Sequence, residues 1–505
     1  MYNLLNIRMS LLEEAQGRER PSDNNINKVY NSILELVGNT PLVRLNKIPQ
    51  QYGLTCEIYA KCEFMNPGGS IKDRIGLAMV QNAKKSGIVN DSTRFVEPTS
   101  GNTGIGIAMN AVLTDTKCTI LTGEKNSSEK VSTMRLLGAE VISVKGDEIE
   151  AAKQMQRENP ETIVMLNQFE NMVNPMSHFE TTGTEILCAL DKVDMIVLGA
   201  GTGGTLSGVS LRLKQKYPDC IVVAAEPDGS ILFDPCADEH PFLVEGVGGT
   251  WAPEVLDRSI VDHVEVITDQ ESFLTARELA RKEGLLCGGS SGTAMCAAIK
   301  AAKTLNFGRG KRIVVILPDG IRNYMTKFVT DQWMEAHLFM DPPKHTMKWW
   351  NKPITDLKLT HKYPLLNKNV TCELAINAMK NSNIAVIVDE KGHFVGAVTK
   401  DNFRNIATNP LRLPNGNIEE FNLKDLATEH LVKDCYTMAE NGRKGVPKIG
   451  LLSRILDITP FVIIVRKGHD GKDYFEPKGV VTADDVLDYI HKTNDSTVQC
   501  QTWSS

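Results

Sequence analysis

An α/β fold with a separate C-terminal unit is predicted for this chain by three observations. Apolar strand-like runs and helical patterns alternate between Glu57 and Leu317, as in a mainly parallel sheet with helices on both faces. Three glycine-bearing segments, at residues 66–74, 97–104 and 201–205, stand next to helix starts. After Asp341 the composition changes: Pro342-Pro343 marks a linker, and two weakly similar units follow, a sign of internal duplication.

Residues 1–29 read as a polar, mobile leader. The main domain is expected over 30–341. It opens with a turn at Gly38-Asn39 and a short apolar strand, and further strands are expected at 57–62, 94–96, 119–122, 140–144, 195–198, 221–225 and 312–317. Helices are expected over 71–79, after Thr103 and after Thr205. A linker over 342–352 leads to a first repeat unit, 353–408, an inter-unit loop, 409–422, a second unit, 423–495, and a tail, 496–505. Each unit reads strand, turn, strand, then a Thr and an acidic or amide residue opening a helix. Ala385-Val386-Ile387-Val388 leads to Thr399 and Asn402; Phe461-Val462-Ile463-Ile464-Val465 leads to Thr482 and Asp485.

At 505 residues the chain is too long for one core, and about two to four domains are expected. Its 42% hydrophobic and 23% charged residues suit a soluble globular protein. A net charge of -6 gives no reason to expect nucleic acid or an anionic membrane as a partner. No apolar run approaches the roughly 20 residues that span a bilayer, and the first eight residues lack a signal-peptide core. Eleven cysteines are scattered without paired spacing, which predicts reduced thiols in a cytoplasm. Nothing reads as a metal site.

The chemistry concentrates in the three glycine-bearing segments. The turn Asn66-Pro67-Gly68-Gly69 delivers Ser70 and then Lys72 to the first turn of a helix. The positive helix end disfavours an ammonium there, and an amine so placed can form an imine with an aldehyde cofactor. Thr99-Ser100-Gly101-Asn102-Thr103 joins a turn to a helix start, where unpaired N–H groups suit a carboxylate. Gly201-Thr202-Gly203-Gly204-Thr205 follows an apolar strand, and its glycines let backbone amides approach a phosphate. Taken singly, each has a plain structural reading: a solvated lysine, a capped helix, a tight bend.

Together they resemble the fold-type II pyridoxal-phosphate (PLP) enzymes, the tryptophan synthase β-like family of cysteine synthase, threonine dehydratase and cystathionine β-synthase, over about residues 31–341. That resemblance implies a two-lobed catalytic domain with the cofactor between the lobes. Lys72 would carry PLP as a Schiff base and exchange the substrate's α proton. Asn102 would meet the ring's 3′-oxygen, Gly201, Thr202, Gly203, Gly204 and Thr205 would hold the phosphate, and Gly320 would lie by the pyridine nitrogen. Thr99, Ser100, Gly101 and Thr103 would bind the amino-acid carboxylate. Gln168, in Asn167-Gln168-Phe169, and Gly246 and Gly248, in Glu245-Gly246-Val247-Gly248, resemble the substrate-contacting loops. Phe169, Gly249 and Gly320 stand where animal cystathionine β-synthases have Tyr, Tyr and Ser; Gly320 offers no hydroxyl to the ring.

The two C-terminal units resemble paired CBS motifs, a Bateman module. Thr482 and Asp485 resemble a ribose-binding pair for an adenosyl ligand, beside the alternative that Asp485 only caps its helix. Asn402 is the poorer counterpart in the first unit. S-adenosylmethionine is the ligand the resemblance names, with a weak or absent effect on turnover expected, and a pure dimer contact is the other use of such a module. Catalytic motifs joined to this module, together with residues 321–328, resemble cystathionine β-synthases. The implied reaction condenses L-serine with L-homocysteine to cystathionine and water through an aminoacrylate, with sulfide release from cysteine open to the same route. Cysteine synthase, using O-acetylserine and sulfide, is the alternative within the chemistry. A non-catalytic adenosyl-ligand sensor is the alternative outside it. No Cys or His precedes Cys56, so no haem is expected, and the resemblance implies a homodimer or larger assembly.

Overall fold

A computed structural model gives the fold and describes residues 29–99, 101–123, 128–144, 147–357, 359, 363–407, 436–439, 445–467 and 474–493. All of the expected leader but Val29, the 409–422 loop and the tail lie outside them. Two α/β lobes form the main domain. The larger is built on a six-stranded sheet of order β1-β2-β10-β7-β8-β9. Its strands are β1 (Leu42–Arg44), β2 (Glu57–Cys62), β7 (Met195–Gly199), β8 (Ile221–Pro227), β9 (His263–Ile267) and β10 (Arg312–Leu317). All run parallel except β1, which pairs antiparallel with β2. The smaller lobe has a parallel sheet of order β5-β4-β3-β6, from β3 (Arg94–Pro98), β4 (Lys117–Thr122), β5 (Glu140–Ser143) and β6 (Ile163–Met165).

Central strands of the larger lobe read as continuous apolar runs because both faces are covered. In β10, Ile313, Val314, Val315, Ile316 and Leu317 are all buried, and they divide between two cores on opposite faces of the sheet. Loops at the carboxyl ends of parallel strands are where such folds bind ligands. The 201–205 loop follows β7, Thr99 follows β3, Gln168 follows β6 and Asp319 follows β10.

The helix expected over 71–79 runs Lys72–Lys85. Its second half, Gln81-Asn82-Ala83-Lys84-Lys85, consists mainly of good helix formers with no breaker. Although it precedes the smaller lobe in sequence, its apolar face joins that lobe's core through Ile75, Met79, Val80 and Ala83. It crosses the helix Asn102–Val112 at two glycines. A Cβ on Gly76 would lie 2.7 Å from the Gly106 carbonyl carbon, and one on Gly106 would lie 2.9 Å from the Lys72 carbonyl oxygen. No side chain fits between the two helices, so the start of one is fixed against the start of the other.

Among the described residues, the C-terminal part holds two three-stranded sheets of one plan. In the first, β11 (Leu365–Asn367) pairs parallel with β12 (Ile384–Val388), which pairs antiparallel with β13 (Phe394–Thr399). The second repeats this with β14 (Thr437–Ala439), β15 (Val462–Lys467) and β16 (Phe475–Val481). The short parallel strands β11 and β14 were not legible in the sequence, being three residues each. The units face each other through a shared core of Ile384, Val386 and Ala397 against Phe461, Ile463 and Val480.

Packing crosses the boundary expected at residue 353. Trp349, Trp350, Ile354 and Leu357 enter the core of the second unit beside Ile449 and Leu452. Ile354 N donates to Pro447 O at 2.9 Å, and Ile449 N to Lys352 O at 2.8 Å. The start assigned to the first unit is thus structurally part of the second, because its large apolar side chains find their burial there.

Candidate active site

Lys72 is presented between the lobes by a braced turn. Gly69 N donates to Asn66 O at 2.9 Å, and Asp73 accepts from Gly68 N at 2.5 Å. Ile71 N bonds Pro318 O at 2.8 Å and Gly320 N bonds Gly69 O at 3.1 Å, strapping the turn to the end of β10. Lys72 Nζ donates to Thr202 Oγ1 at 3.3 Å across the cleft. Burial lowers the amine from its ordinary value to about 8, against an opposing pull from the Glu97 charge. Desolvation thus favours the neutral, nucleophilic amine near neutrality.

Thr202 Oγ1 also accepts from Asn174 Nδ2 at 3.1 Å. With two donors already on the oxygen, its own hydroxyl hydrogen is left to donate. Gly203 lies in the left-handed region at φ +88°, a conformation glycine adopts without strain, and opens the helix Gly204–Lys216. Thr205 Oγ1 lies 3.2 Å from His178 Nε2, and His178 Nδ1 lies 3.0 Å from Thr182 Oγ1. Burial drives His178 well below its usual value, so a neutral ring supports Thr205. The 245–248 loop braces this turn from behind: Gly248 N donates to Ala200 O at 2.7 Å, and a Cβ on Gly201 would meet Gly246 O at 2.7 Å.

On the other wall, Gly101 N donates to Thr99 Oγ1 at 3.2 Å. Ser100 lies outside the described residues. Thr103 Oγ1 donates to Gln168 Oε1 at 2.6 Å, and Gln168 Nε2 reaches Pro98 O at 3.3 Å. Beneath them Glu97 accepts from the backbone N–H of Asn167 at 2.8 Å and of Gln168 at 3.0 Å; burial pushes it up to about 8. Asn102 Nδ2 donates to Asp319 Oδ2 at 2.9 Å. Gly320 stands beside them, and a Cβ there would make ordinary van der Waals contact, with Phe64 Cβ at 3.5 Å.

Motif reading missed Glu97, Lys130, Asn174, His178 and Tyr324 as contributors. Lys130 Nζ, on the smaller lobe, pairs with Glu245 at 2.7 Å and lies 3.4 Å from Tyr324 OH; Lys327 also pairs with Glu245. Glu97 and Tyr324 lie within the segments 97–104 and 321–328 but were given no role there, and Lys130, Asn174 and His178 fall outside every motif. Only the buried setting, as for His178 at 0% exposure, sets them apart. Thr482 and Asp485 lie far from the cleft in the chain, opening the helix Ala483–Thr493. Asp485 Oδ2 accepts from Thr482 N and Oγ1, both at 2.8 Å. Among the described residues, no cluster of His, Cys, Asp and Glu could hold a metal ion, and no helix is long and apolar enough to cross a membrane.

A lysine amine and a glycine-rich loop thus face each other between two α/β lobes, and that arrangement agrees with comparisons to known proteins. Residues 33–319 match the family described as pyridoxal-phosphate dependent enzyme. Cystathionine beta-synthase of Apis mellifera is 40% identical, covering 94% of this chain and 94% of that protein. The chain belongs to the cystathionine β-synthase family. The Saccharomyces cerevisiae member is 35% identical over 91% of this chain and 97% of its own length. An O-acetylserine dependent cystathionine beta-synthase from Helicobacter pylori, a solved structure, is 36% identical with a TM-score of 0.55, covering 59% of this chain and 98% of its own. The family match ends at Asp319, so it takes in β1 to β10 and all the cleft loops described up to that point.

Proposed function

We propose that this protein joins L-serine to L-homocysteine, releasing water and L-cystathionine, with pyridoxal 5′-phosphate carried on Lys72. The observation that bears most weight is the buried Lys72 amine, lowered to about 8, facing the 201–205 loop. The residues fit the cofactor. The loop is a cradle in which a Cβ at Gly201 would strike the neighbouring backbone, its helix start supplies free N–H groups, and the Thr202 hydroxyl has a hydrogen to give.

In this reading Lys72, Asn102, Gly201, Thr202, Gly203, Gly204 and Thr205 hold the cofactor, and Gly320 leaves the ring nitrogen without a side-chain hydroxyl. When bound, the cofactor supplies an electron sink for charge developing at the substrate's α carbon. Lys72 Nζ takes the α proton of serine and later returns one to the product. The hydroxyl leaves the β carbon as water, gaining one proton, and the homocysteine sulfur bonds to that carbon as its thiol gives up one proton, so that the two balance. The serine carboxylate is received by Thr99, Ser100, Gly101 and Thr103. Because the Thr103 hydroxyl is committed to Gln168, Thr103 contributes its backbone N–H, and one Nε2 hydrogen of Gln168 remains for the ligand. Gly246 and Gly248 act by backing the phosphate loop.

The paired C-terminal units are read as CBS motifs forming a Bateman module. Their common plan supports this, with Thr482 and Asp485 offered to an adenosyl ligand such as S-adenosylmethionine. A homodimer, a cytoplasmic site of action and chemistry that calls for no haem complete the proposal. The deciding experiment assays purified holoenzyme with serine plus homocysteine beside O-acetylserine plus sulfide. Faster cystathionine formation supports the proposal; faster cysteine formation replaces it with cysteine synthase; neither, in protein that stays colourless with the cofactor, removes it.

A further inference from the structure

The side-chain amide of Asn102 is held between two groups from the opposite lobe. Its Nδ2 donates to Asp319 Oδ2 at 2.9 Å, and its Oδ1 accepts from Asn323 Nδ2 at 3.0 Å. These residues are separated from Asn102 by 217 and 221 positions, so the contacts exist only when the lobes are together. An amide can be turned over without changing its shape, and which end faces a ligand is decided by its neighbours. Here Asp319 decides. Both of its hydrogen bonds fall on Oδ2, which accepts from Asn102 and from Tyr324 and so requires the NH2 end of the amide; burial raises the Asp319 carboxyl above its usual range, and Lys130 with these two donors pulls it back toward the accepting carboxylate. Its Oδ2 is fixed in turn by Tyr324 OH at 2.6 Å. Asp319 is 1% exposed and Tyr324 is 3% exposed, so water does not offer an alternative partner.

We propose that Asp319 is a positioning residue that orients Asn102 so that its second Nδ2 hydrogen faces the cofactor site as a donor to an anionic oxygen. Asn323 reinforces that orientation by occupying the carbonyl end. The wrong orientation would turn a carbonyl oxygen toward the ligand and set two acceptors against each other at Asp319. This rests on the reading of the cleft as a pyridoxal-phosphate site, and it assigns to Asp319 and Asn323 a task distinct from contact with the cofactor.

The test uses holoenzyme and reads the visible spectrum, which reports hydrogen bonding to the bound cofactor's ring oxygen. In Asp319→Asn the residue at 319 can present either end of an amide, and Asn102 loses its fixed sense. The ratio of the long- to the short-wavelength cofactor band is expected to fall roughly threefold to tenfold, the range of one net hydrogen bond. Asn323→Ala, at a partly open position, is expected to move the ratio the same way by less, and serves if Asp319→Asn does not fold. The exchange Asn102→Asp with Asp319→Asn keeps a hydrogen bond between the two positions but leaves only acceptors toward the ligand. Recovered thermal stability with a still-altered spectrum supports orientation. A spectrum restored by the exchange, or unchanged in both single variants, overturns the proposal. A parent enzyme with no visible band fails the cofactor reading itself, which is a separate result.

Discussion

The cleft and the C-terminal units both use polar side-chain pairs, but they draw the partners from different distances. In the cleft the pairs join Lys72 to Thr202, Asn102 to Asp319 and Thr103 to Gln168, separated by 130, 217 and 65 residues. In the C-terminal units Thr399 pairs with Asn402 and Thr482 with Asp485, three residues apart. The first kind forms only when loops remote in the chain have docked, within the smaller lobe for Thr103 and Gln168 and between the cleft walls for the other two; the second belongs to a single helix start and forms with it. Damage to packing far from the cleft should therefore reach the cleft pairs, while the helix caps should respond only to changes in themselves.

Lys72→Ala makes the largest break in that comparison. Removing the amine is expected to lower turnover by about a thousandfold, within the range of lost acid–base catalysis, and to leave the Thr482–Asp485 cap untouched. The same amine predicts a pH dependence. Only the neutral form attacks an aldehyde, and burial lowers its titration to about 8. Cofactor uptake by stripped protein should rise with pH and level off above about 8. A rise that continues toward the ordinary lysine value would show that the amine is not desolvated. Next in size is Gly106→Val, which contacts no ligand. Its side chain would press on the Lys72 carbonyl, with an expected cost of about 1–3 kcal/mol from overpacking. Thermal unfolding should fall and cofactor retention should fall with it; a loss of stability alone would show that the helix crossing does not set the position of Lys72.

Distance in sequence also decides what could be read beforehand. The alternation was legible at β2 to β5, β7, β8 and β10, where apolar runs carry their own turn signals; β6, three residues long, and β9, whose His263-Val264-Glu265-Val266-Ile267 alternates polar and apolar at a sheet edge, were not expected. Lys72, Asn102 and the 201–205 loop were legible because glycine clusters at strand-to-helix junctions have a local rationale. Asp319 and Tyr324 were not, since their value lies in facing Asn102 and Lys130 from the other lobe, and nothing in residues 317–325 encodes that encounter. Trp349 and Trp350 show the same limit in the fold: their side chains announce burial but not which of two similar units provides it.

The second C-terminal unit is tied to the catalytic domain by a pair of the long-range kind. Arg454, on the helix Ile449–Leu456, donates to Glu335 at 3.0 Å across 119 residues, and the Glu335 side chain is 1% exposed. Glu335 lies on the helix Asp331–Ala336, whose Trp333 packs with Phe273, Phe328 and Tyr324. Arg454→Ala would leave that carboxylate buried without this partner, at an expected cost of about 1–3 kcal/mol. Limited proteolysis should then release the C-terminal part more readily, while the isolated fold of each lobe is kept. A parallel loss of cofactor retention would show that the unit supports the cleft through Trp333 and Tyr324; unchanged retention would confine the pair to docking.

The smallest expected effect separates the two helix caps from each other. Asp485 and Asn402 each accept a Thr backbone N–H and hydroxyl on one oxygen, with distances of 2.8 and 2.8 Å in one unit and 2.7 and 2.6 Å in the other. Both sit at the third helical position and return the same bond to the Thr that precedes the helix, as in a capping box, so for that bond they are near equivalents. Asp485→Asn should therefore change stability by only about 0.5 kcal/mol or less. The two side chains differ in the group left over. Asp485 keeps a second acceptor oxygen, suited to a ribose hydroxyl, whereas Asn402 keeps an NH2 that can only donate. If the second unit holds an adenosyl ligand, the thermal shift produced by S-adenosylmethionine should be lost in Asp485→Asn and unaffected in Asn402→Ala, although the latter removes a cap worth about 1 kcal/mol. The opposite pattern would place the ligand in the first unit. A parent protein with no shift at all would leave both residues as helix caps and the module as a structural contact.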